Sequence, residues 1–376
     1  MAGDSHTVNV GVTMRAMQRN LLGDIAMKRI VAWTLLLAVY AAASAQAQIP
    51  QKIIFDTDFA FPPQDDAMAL FFVLNSPELE ILGITTVAGN KSLNVANADV
   101  LKVLEATNRA EIPVFQGAAS PLQHEGTEWD TKRHGGWYAN PPAPEPPGGF
   151  ARTKKLETRS AIDFLVDTVM RNPGQVTILA LGPLTNIATA MRMESDFARH
   201  VRQLVIMGGA IASLPDGAGN HTPNAEFNFY VDPEAARIVL RSGIPIVLSP
   251  LNISRKARFT KEWYEKIVAV DTPITRLVRD RLGPAFEHRP DRSYLMHDQV
   301  AAVTLVDPTL MTTVEYYVDV DANEGPSYGV SVGAPQVWPG AEGAQRMLVQ
   351  TDLDWDRFIR LYVERVTSAH PASNPE

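Results

Sequence analysis

Short runs of β-branched and aliphatic residues alternate along the chain with stretches whose apolar positions recur every three or four residues. Lys52–Phe55, Leu79–Val87, Val176–Ala180, Gln203–Met207 and Ile244–Leu248 read as strands, and helical patterns lie between them. That alternation predicts an α/β fold, an open, mostly parallel Rossmann-like sheet with helices on both faces. After Asp66, residues Ala67, Leu70, Phe71 and Leu74 fall at i, i+3, i+4 and i+7, which predicts one apolar face, and Ser76-Pro77 stops the helix. Asp232-Pro233 has the form of an N-cap followed by proline at the first helical position, with Gly243 closing the helix that follows.

Two stretches break the alternation. Asn140–Gly149 holds five prolines and two glycines, which remove backbone donors and add freedom, so it predicts a surface loop that could serve as a flap. Toward the end, Val314–Val332 and Gln345–Thr351 predict further strands and Trp355–Val366 a last helix. No internal repeat is visible.

The first segment departs from the rest in character. Met27-Lys28-Arg29 supplies a basic start, Ile30–Ala43 is apolar but short for a bilayer span, and Ala43-Ser44-Ala45 or Ala45-Gln46-Ala47 offers small residues for cleavage. It reads as a secretory signal behind an upstream extension, with a short membrane anchor as the alternative. Residues 1–47 are set aside on this reading, 48–376 form one catalytic domain, and the location is periplasmic or secreted. An apolar content of 45% and a charged content of 20% are those of a chain able to bury a large core. The net charge of −8 becomes more negative when residues 1–47 leave, since they carry four bases and two acids. An acidic protein is a poor partner for nucleic acid. There is no cysteine, which excludes disulfides and thiolate nucleophiles.

Candidate chemistry follows the strands. In open α/β sheets the ligand crevice lies beyond the carboxyl ends of the strands, so residues there converge. Lys52–Phe55 runs into Asp56, Asp58, Asp65 and Asp66, four acids within eleven residues. A single such Asp is more often a helix cap, but four together repel one another unless a cation neutralises them. A hard oxygen-ligated ion suits them, Ca²⁺ before Mg²⁺. Asn220, Glu226 and Asn228 form a second polar group whose donors and acceptors would suit sugar hydroxyls, or belong to a surface loop. His297-Asp298 places an imidazole beside another possible metal ligand.

At this point the chain resembles the inosine-uridine preferring nucleoside hydrolases. The resemblance is carried by Asp56-Thr57-Asp58 with Asp65-Asp66-Ala67, by Thr85-Thr86-Val87-Ala88-Gly89-Asn90, and by Leu181-Gly182-Pro183-Leu184-Thr185-Asn186. It continues through Met207-Gly208-Gly209, Ala225-Glu226-Phe227-Asn228 with Asp232-Pro233-Glu234-Ala235-Ala236, and His297-Asp298, all in family order. It implies the nucleoside hydrolase fold and calcium-dependent cleavage of the N-glycosidic bond of ribonucleosides. It further implies that Ca²⁺ is held by Asp58, Asp66, the Leu181 carbonyl and Asp298, and that Asp65, Asn90, Asn220, Glu226 and Asn228 grip ribose hydroxyls. Asp58 would take the proton of the metal-held water, and His297 is the candidate acid for the departing base. The implied partner is a small ribonucleoside, with a homo-oligomer of two or four chains.

Two departures stand out. Six residues, Phe59–Gln64, separate Asp58 from the Asp pair where the family usually has three, and the pair reaches the metal if those six bulge outward. Leu251-Asn252 stands where many relatives carry Leu-Asp. Two other functions compete. A haloacid dehalogenase-type phosphatase would share Asp56-x-Asp58 but not Ala60, and a periplasmic nucleoside or sugar binding protein would gain little from the acids. Groups that could touch the nucleobase are His134, Trp137, Tyr138, Tyr294 and His297.

Overall fold

The computed structural model describes residues 49–124, 128, 131 and 140–369. The signal-like segment Met27–Ala47 and three of the base-contact candidates, His134, Trp137 and Tyr138, lie outside the described residues. The chain divides into two units, residues 1–49 and 50–376, and all the elements below belong to the second.

Nine strands form one sheet: β1 (Gln51–Thr57), β2 (Leu79–Thr86), β3 (Val114–Gln116), β4 (Thr177–Ala180), β5 (Gln203–Met207), β6 (Ile246–Ser249), β9 (Met311–Val320), β10 (Ser331–Ala334) and β11 (Gln345–Leu353). Between β6 and β9, β7 (Arg258–Thr260) and β8 (Ser293–Leu295) pair as a separate antiparallel ribbon. The order β10-β9-β11-β6-β5-β4-β1-β2-β3 is parallel from β3 through β11, while β9 and β10 add on antiparallel. Strand order reverses beside β1, because the chain builds outward through β2 and β3 on one side and through β4, β5 and β6 on the other. That reversal is the switch point at which such sheets bind ligands. The α/β architecture expected from the alternation is the one found, and the three-residue β3 and the β7–β8 ribbon were too short to show a pattern of their own.

Two buried clusters cover the two faces of the sheet. The helix Asp65–Leu74 lies in the first, and every residue from Asp66 to Leu74 is buried. The periodicity predicted one apolar face. The other faces are covered too, because the helix Trp355–Thr367 packs over it and the Tyr362 hydroxyl donates to the Met68 carbonyl at 3.0 Å. A helix apolar all round is what such a buried position requires. Asp232 does cap the helix Pro233–Leu240, accepting from Ala235 N at 3.0 Å. The same carboxylate accepts from Leu122 N and Thr185 Oγ1, which ties the segment after β3 to the start of the helix Thr185–Met193. That helix ends earlier than its glycine suggested, since Gly243, at φ +79°, lies beyond the cap Arg241. Asn140–Gly149 forms no regular element and is pinned at its start, where Asn140 Oδ1 accepts from Asn94 N at 2.9 Å.

Candidate active site

β1 stops at Thr57, and Asp58 is the next residue beyond its carboxyl end. Asp65 and Asp66 open the helix Asp65–Leu74, and Asp298 lies in the first turn of the helix His297–Thr304, which packs against it. Helix N-termini favour negative charge, so two such ends meeting here draw the carboxylates together. One oxygen each of Asp65, Asp66 and Asp298 lies within 4.8 Å of the others. Asp58 stands beside this trio, its carboxyl in direct contact with that of Asp66 and bridged to it by Asn90 as well. The Asn90 amide donates to Asp66 Oδ2 at 3.1 Å and reaches Asp58 Oδ1 at 3.4 Å, while its backbone N–H donates to Asp58 Oδ2 at 2.5 Å. Thr57 Oγ1 completes the grip, donating to Asp66 Oδ1 at 2.6 Å.

Asp58 is also walled in by glycines. A Cβ at Gly89 would stand 2.1 Å from Asp58 Oδ2, and one at Gly182 would stand 2.8 Å from Asp58 N. These two motif glycines are therefore close-approach positions: any side chain there would push Asp58 out of place.

Of the inserted residues Phe59–Gln64, the first four turn inward and only Gln64 is exposed. Phe59, Ala60 and Phe61 are buried, and both phenylalanines join the main cluster. Phe61 N donates to Asp99 Oδ2 at 3.3 Å, and Arg281 Nε donates to the Pro62 carbonyl at 3.3 Å with its guanidinium over the Phe61 ring. The insertion is apolar filling between the helices Leu93–Ala106 and Pro273–His288, and it delivers Asp65 to the trio.

The electrostatics point to a cation. Burial raises the Asp58 carboxyl well above its ordinary value, and the charges of Asp66 and Asp65 add to it, against the Asn90 amide. Asp66 is pushed up to about 7 by burial and by Asp65. Asp298 is raised far by burial and by the charges of Asp65, Asp66 and Asp58. Asp65 is half-buried and also raised by burial, with His297 and nearby backbone amides pulling the other way. Carboxyl groups crowded in this way cannot all be ionised without a compensating charge. The donors are hard oxygens, so the set fits a divalent metal ion of the Ca²⁺ or Mg²⁺ type. Asp56 plays another part: its Oδ2 accepts from Thr85 Oγ1 at 2.5 Å and Asn186 Nδ2 at 2.8 Å, joining β1 to β2 and to the first turn of the helix Thr185–Met193. Burial lifts it to about 6.

The second polar group lies on the adjoining strand ends. Glu226 caps the helix Phe227–Val231, its Oε1 taking Asn228 N and its Oε2 taking Phe229 N and Gly209 N, all within 3.0 Å. A carboxylate has about four acceptor positions, so Oε1 retains one for a hydroxyl. Burial raises this carboxyl while those three amides oppose it. Asn228 Nδ2 donates to the Leu181 and Met207 carbonyls at 3.1 and 3.2 Å, which joins the ends of β4 and β5. Asn220, exposed on the preceding loop, accepts from Phe227 N at 2.9 Å.

His297 Nδ1 lies 2.7 Å from Ser254 Oγ, so Nε2 is the nitrogen left to face a substrate. Burial lowers this imidazole, the Asp65 charge raises it, and Arg255 lowers it. Tyr294 is held edge-on against Phe286 with Arg292 over its ring. Thr57, Ser254 and Arg255 were not singled out from the sequence. Single hydroxyls and a lone arginine carry no spacing signal, and only the contacts identify them.

The comparisons with known proteins agree with this geometry. The profile of the family described as inosine-uridine preferring nucleoside hydrolase matches residues 53–360. The chain is 35% identical over 319 residues to the pyrimidine-specific ribonucleoside hydrolase RihA of Citrobacter koseri, covering 84% of this chain and 97% of that protein. It is 34% identical to the pyrimidine-specific ribonucleoside hydrolase RihB of Escherichia coli, covering 84% and 98%. Among solved structures, a plant nucleoside hydrolase superposes with a TM-score of 0.72 at 31% identity, over 85% of this chain and all of that one. A purine-preferring ribonucleoside hydrolase from Gardnerella vaginalis gives 0.69 at 26% identity, over 84% and 98%.

Proposed function

The chain belongs to the inosine-uridine preferring nucleoside hydrolase family, an enzyme family acting on N-glycosyl compounds, and we propose from this that it cleaves ribonucleosides to ribose and free base with Ca²⁺ in the acid cluster. The observation that carries the reading is the meeting of Asp65, Asp66 and Asp298 at the switch point of the sheet, with Asp58 beside them. Asp66 and Asp298 would hold the ion together with Asp58 and the Leu181 carbonyl. Asp65 is the most exposed of the four acids, so it is the one able to turn toward a ribose hydroxyl. When bound, the ion supplies positive charge that offsets the carboxylates and acidifies a water beside them.

Everything else is done by side chains of the chain. Asn90 orients Asp58, whose carboxylate accepts the proton of the attacking water. Positive charge grows on the sugar as the bond to the base breaks, and the surrounding carboxylates stabilise it. Glu226 Oε1, Asn228 and Asn220 fix the ribose, and His297 Nε2 is positioned to protonate the departing base. Attack by water inverts the anomeric carbon.

Incubation with inosine, adenosine, guanosine, cytidine and uridine, followed by assay of reducing sugar, tests the reading and ranks the bases. The names of the two bacterial relatives favour pyrimidines. Ribose should appear, and chelation should stop its release reversibly. No ribose from any of the five, with phosphatase activity or tight nucleoside binding instead, would replace this reading with one of its two rivals.

The segment Met27–Ala47 further supports export with cleavage. N-terminal sequencing of the mature protein should begin between Gln46 and Ile49. An intact Met27 on a cytoplasmic protein would overturn export.

A further inference from the structure

The short helix Leu251–Ser254 and its C-cap Arg255 hold the loop that leads into Asn220. The Arg255 guanidinium donates through Nη1 to the carbonyls of Asp216 at 2.7 Å and Ala218 at 2.6 Å, and through Nη2 to that of Gly219 at 2.9 Å. Three residues earlier, buried Asn252 donates to the carbonyls of Ile211 at 3.0 Å and Pro215 at 2.7 Å, and accepts from Ile211 N at 2.9 Å. An aspartate there would accept from the Ile211 amide but could not donate to the two carbonyls while ionised. This answers what Leu251-Asn252 is for: the amide is a clip for the loop after β5.

The two clips act on different stretches. Asn252 fixes the first half of the loop, through Ile211 and Pro215, against the core, whereas Asp216 and Ala218 are exposed. Their carbonyls converge on one guanidinium instead. The path then continues without a break toward the sugar side of the site. Gly219 is followed by Asn220, whose backbone N–H reaches the Ala225 carbonyl at 3.2 Å. Asn220 Oδ1 takes Phe227 N, the first residue of the helix that Glu226 caps. Gly219 itself has no slack, because a Cβ there would stand 2.3 Å from the Thr222 carbonyl and 2.4 Å from that of Ala225.

We propose that Arg255 is a positioning residue for ribose recognition: by gripping the carbonyls of residues 216, 218 and 219 it sets the place of Asn220, and through it Glu226, against the sugar. The inference rests on the ribonucleoside reading above for the identity of the sugar. Planar guanidinium geometry is what makes three carbonyls within four residues of one loop reachable at once, and an ammonium cannot reproduce it fully.

The test is a double-mutant cycle between Arg255→Met and Asn220→Ala, with Arg255→Lys as the conservative variant. Arg255→Met should raise KM for a ribonucleoside about tenfold, as expected when a contact made in both ground and transition states is misplaced, with a smaller change in kcat. Added to Asn220→Ala, it should cost little more, since both act through one group. Arg255→Lys should recover part of the loss, and it serves alone if the methionine variant does not fold. Calorimetric binding of free ribose gives the same comparison without turnover, so an inactive but ribose-binding wild type would sink the hydrolase reading and leave this one standing. A lower Tm with unchanged KM and ribose affinity, fully multiplicative losses in the double variant, or a wild type that binds no ribose would each overturn the proposal.

Discussion

Asp58→Asn should lower kcat by roughly 10²–10⁴, the range expected if it removes general-base action alone, while leaving the fold and the shape of the acid cluster in place. The side chain is buried and held by the Asn90 backbone amide at 2.5 Å, with Gly89 and Gly182 closing off other positions. An asparagine of the same shape remains there but cannot accept a proton from water. Asp58→Ala should be worse, because it also removes an oxygen from the set proposed to hold the ion. The two variants therefore separate on metal affinity: calcium titration followed by calorimetry should show modest weakening for asparagine and a clear loss for alanine. Turnover that survives complete removal of metal would show that the ion takes no part, and an Asp58→Asn enzyme with near wild-type kcat would remove Asp58 as the base.

His297→Ala should separate substrates by their leaving groups. If His297 protonates the departing base, kcat on inosine falls by roughly 10²–10⁴, while a nitrophenyl riboside, whose leaving group departs without a proton, is cleaved at nearly the wild-type rate. The geometry is compatible with that role, since Ser254 engages Nδ1 and not Nε2. His297 also adjoins Asp298 at the start of its helix, so removing it could simply disturb the acid trio. In that case both substrates slow together, because the shared water nucleophile is affected. The ratio of the two losses decides between these roles, and equal losses would mean that His297 is not the acid.

The candidate site residues were legible in the sequence where they sit in local motifs. Asp58, the Asp65-Asp66 pair and Asn90 each follow a strand end within ten residues, so once the strands are identified their convergence follows from the geometry of parallel sheets, whereas Glu226 and Asn228 lie on a long excursion after β5. The division of labour among them did not follow. Asp56 and Asp58 look alike in sequence, yet one bonds Thr85 on β2 and Asn186 on the helix after β4 and the other meets Asp66, directly and through Asn90. Which way each side chain turns depends on partners from other strands, which no spacing within one segment reveals.

The chain's pattern by itself determined the α/β class, the parallel run of strands and the position of the acids at the end of β1, because hydrophobic period and turn chemistry are local properties. Tertiary structure alone decided whether local signals were buried, and by what. Phe59–Pro62 turned inward because Asp99 and Arg281, far along the chain, receive it and because two phenylalanines gain more in the core than in water. The helix after Asp66 is covered on every side because Tyr362 comes back to it across 294 positions. Ser254 meets His297 across 43 positions, and Arg255 meets the Asn220 loop across 36 to 39. Contacts between residues so far apart in sequence form only when the sheet brings strand ends and their loops to one edge, so a reading of the chain in order finds the residues but not their pairing.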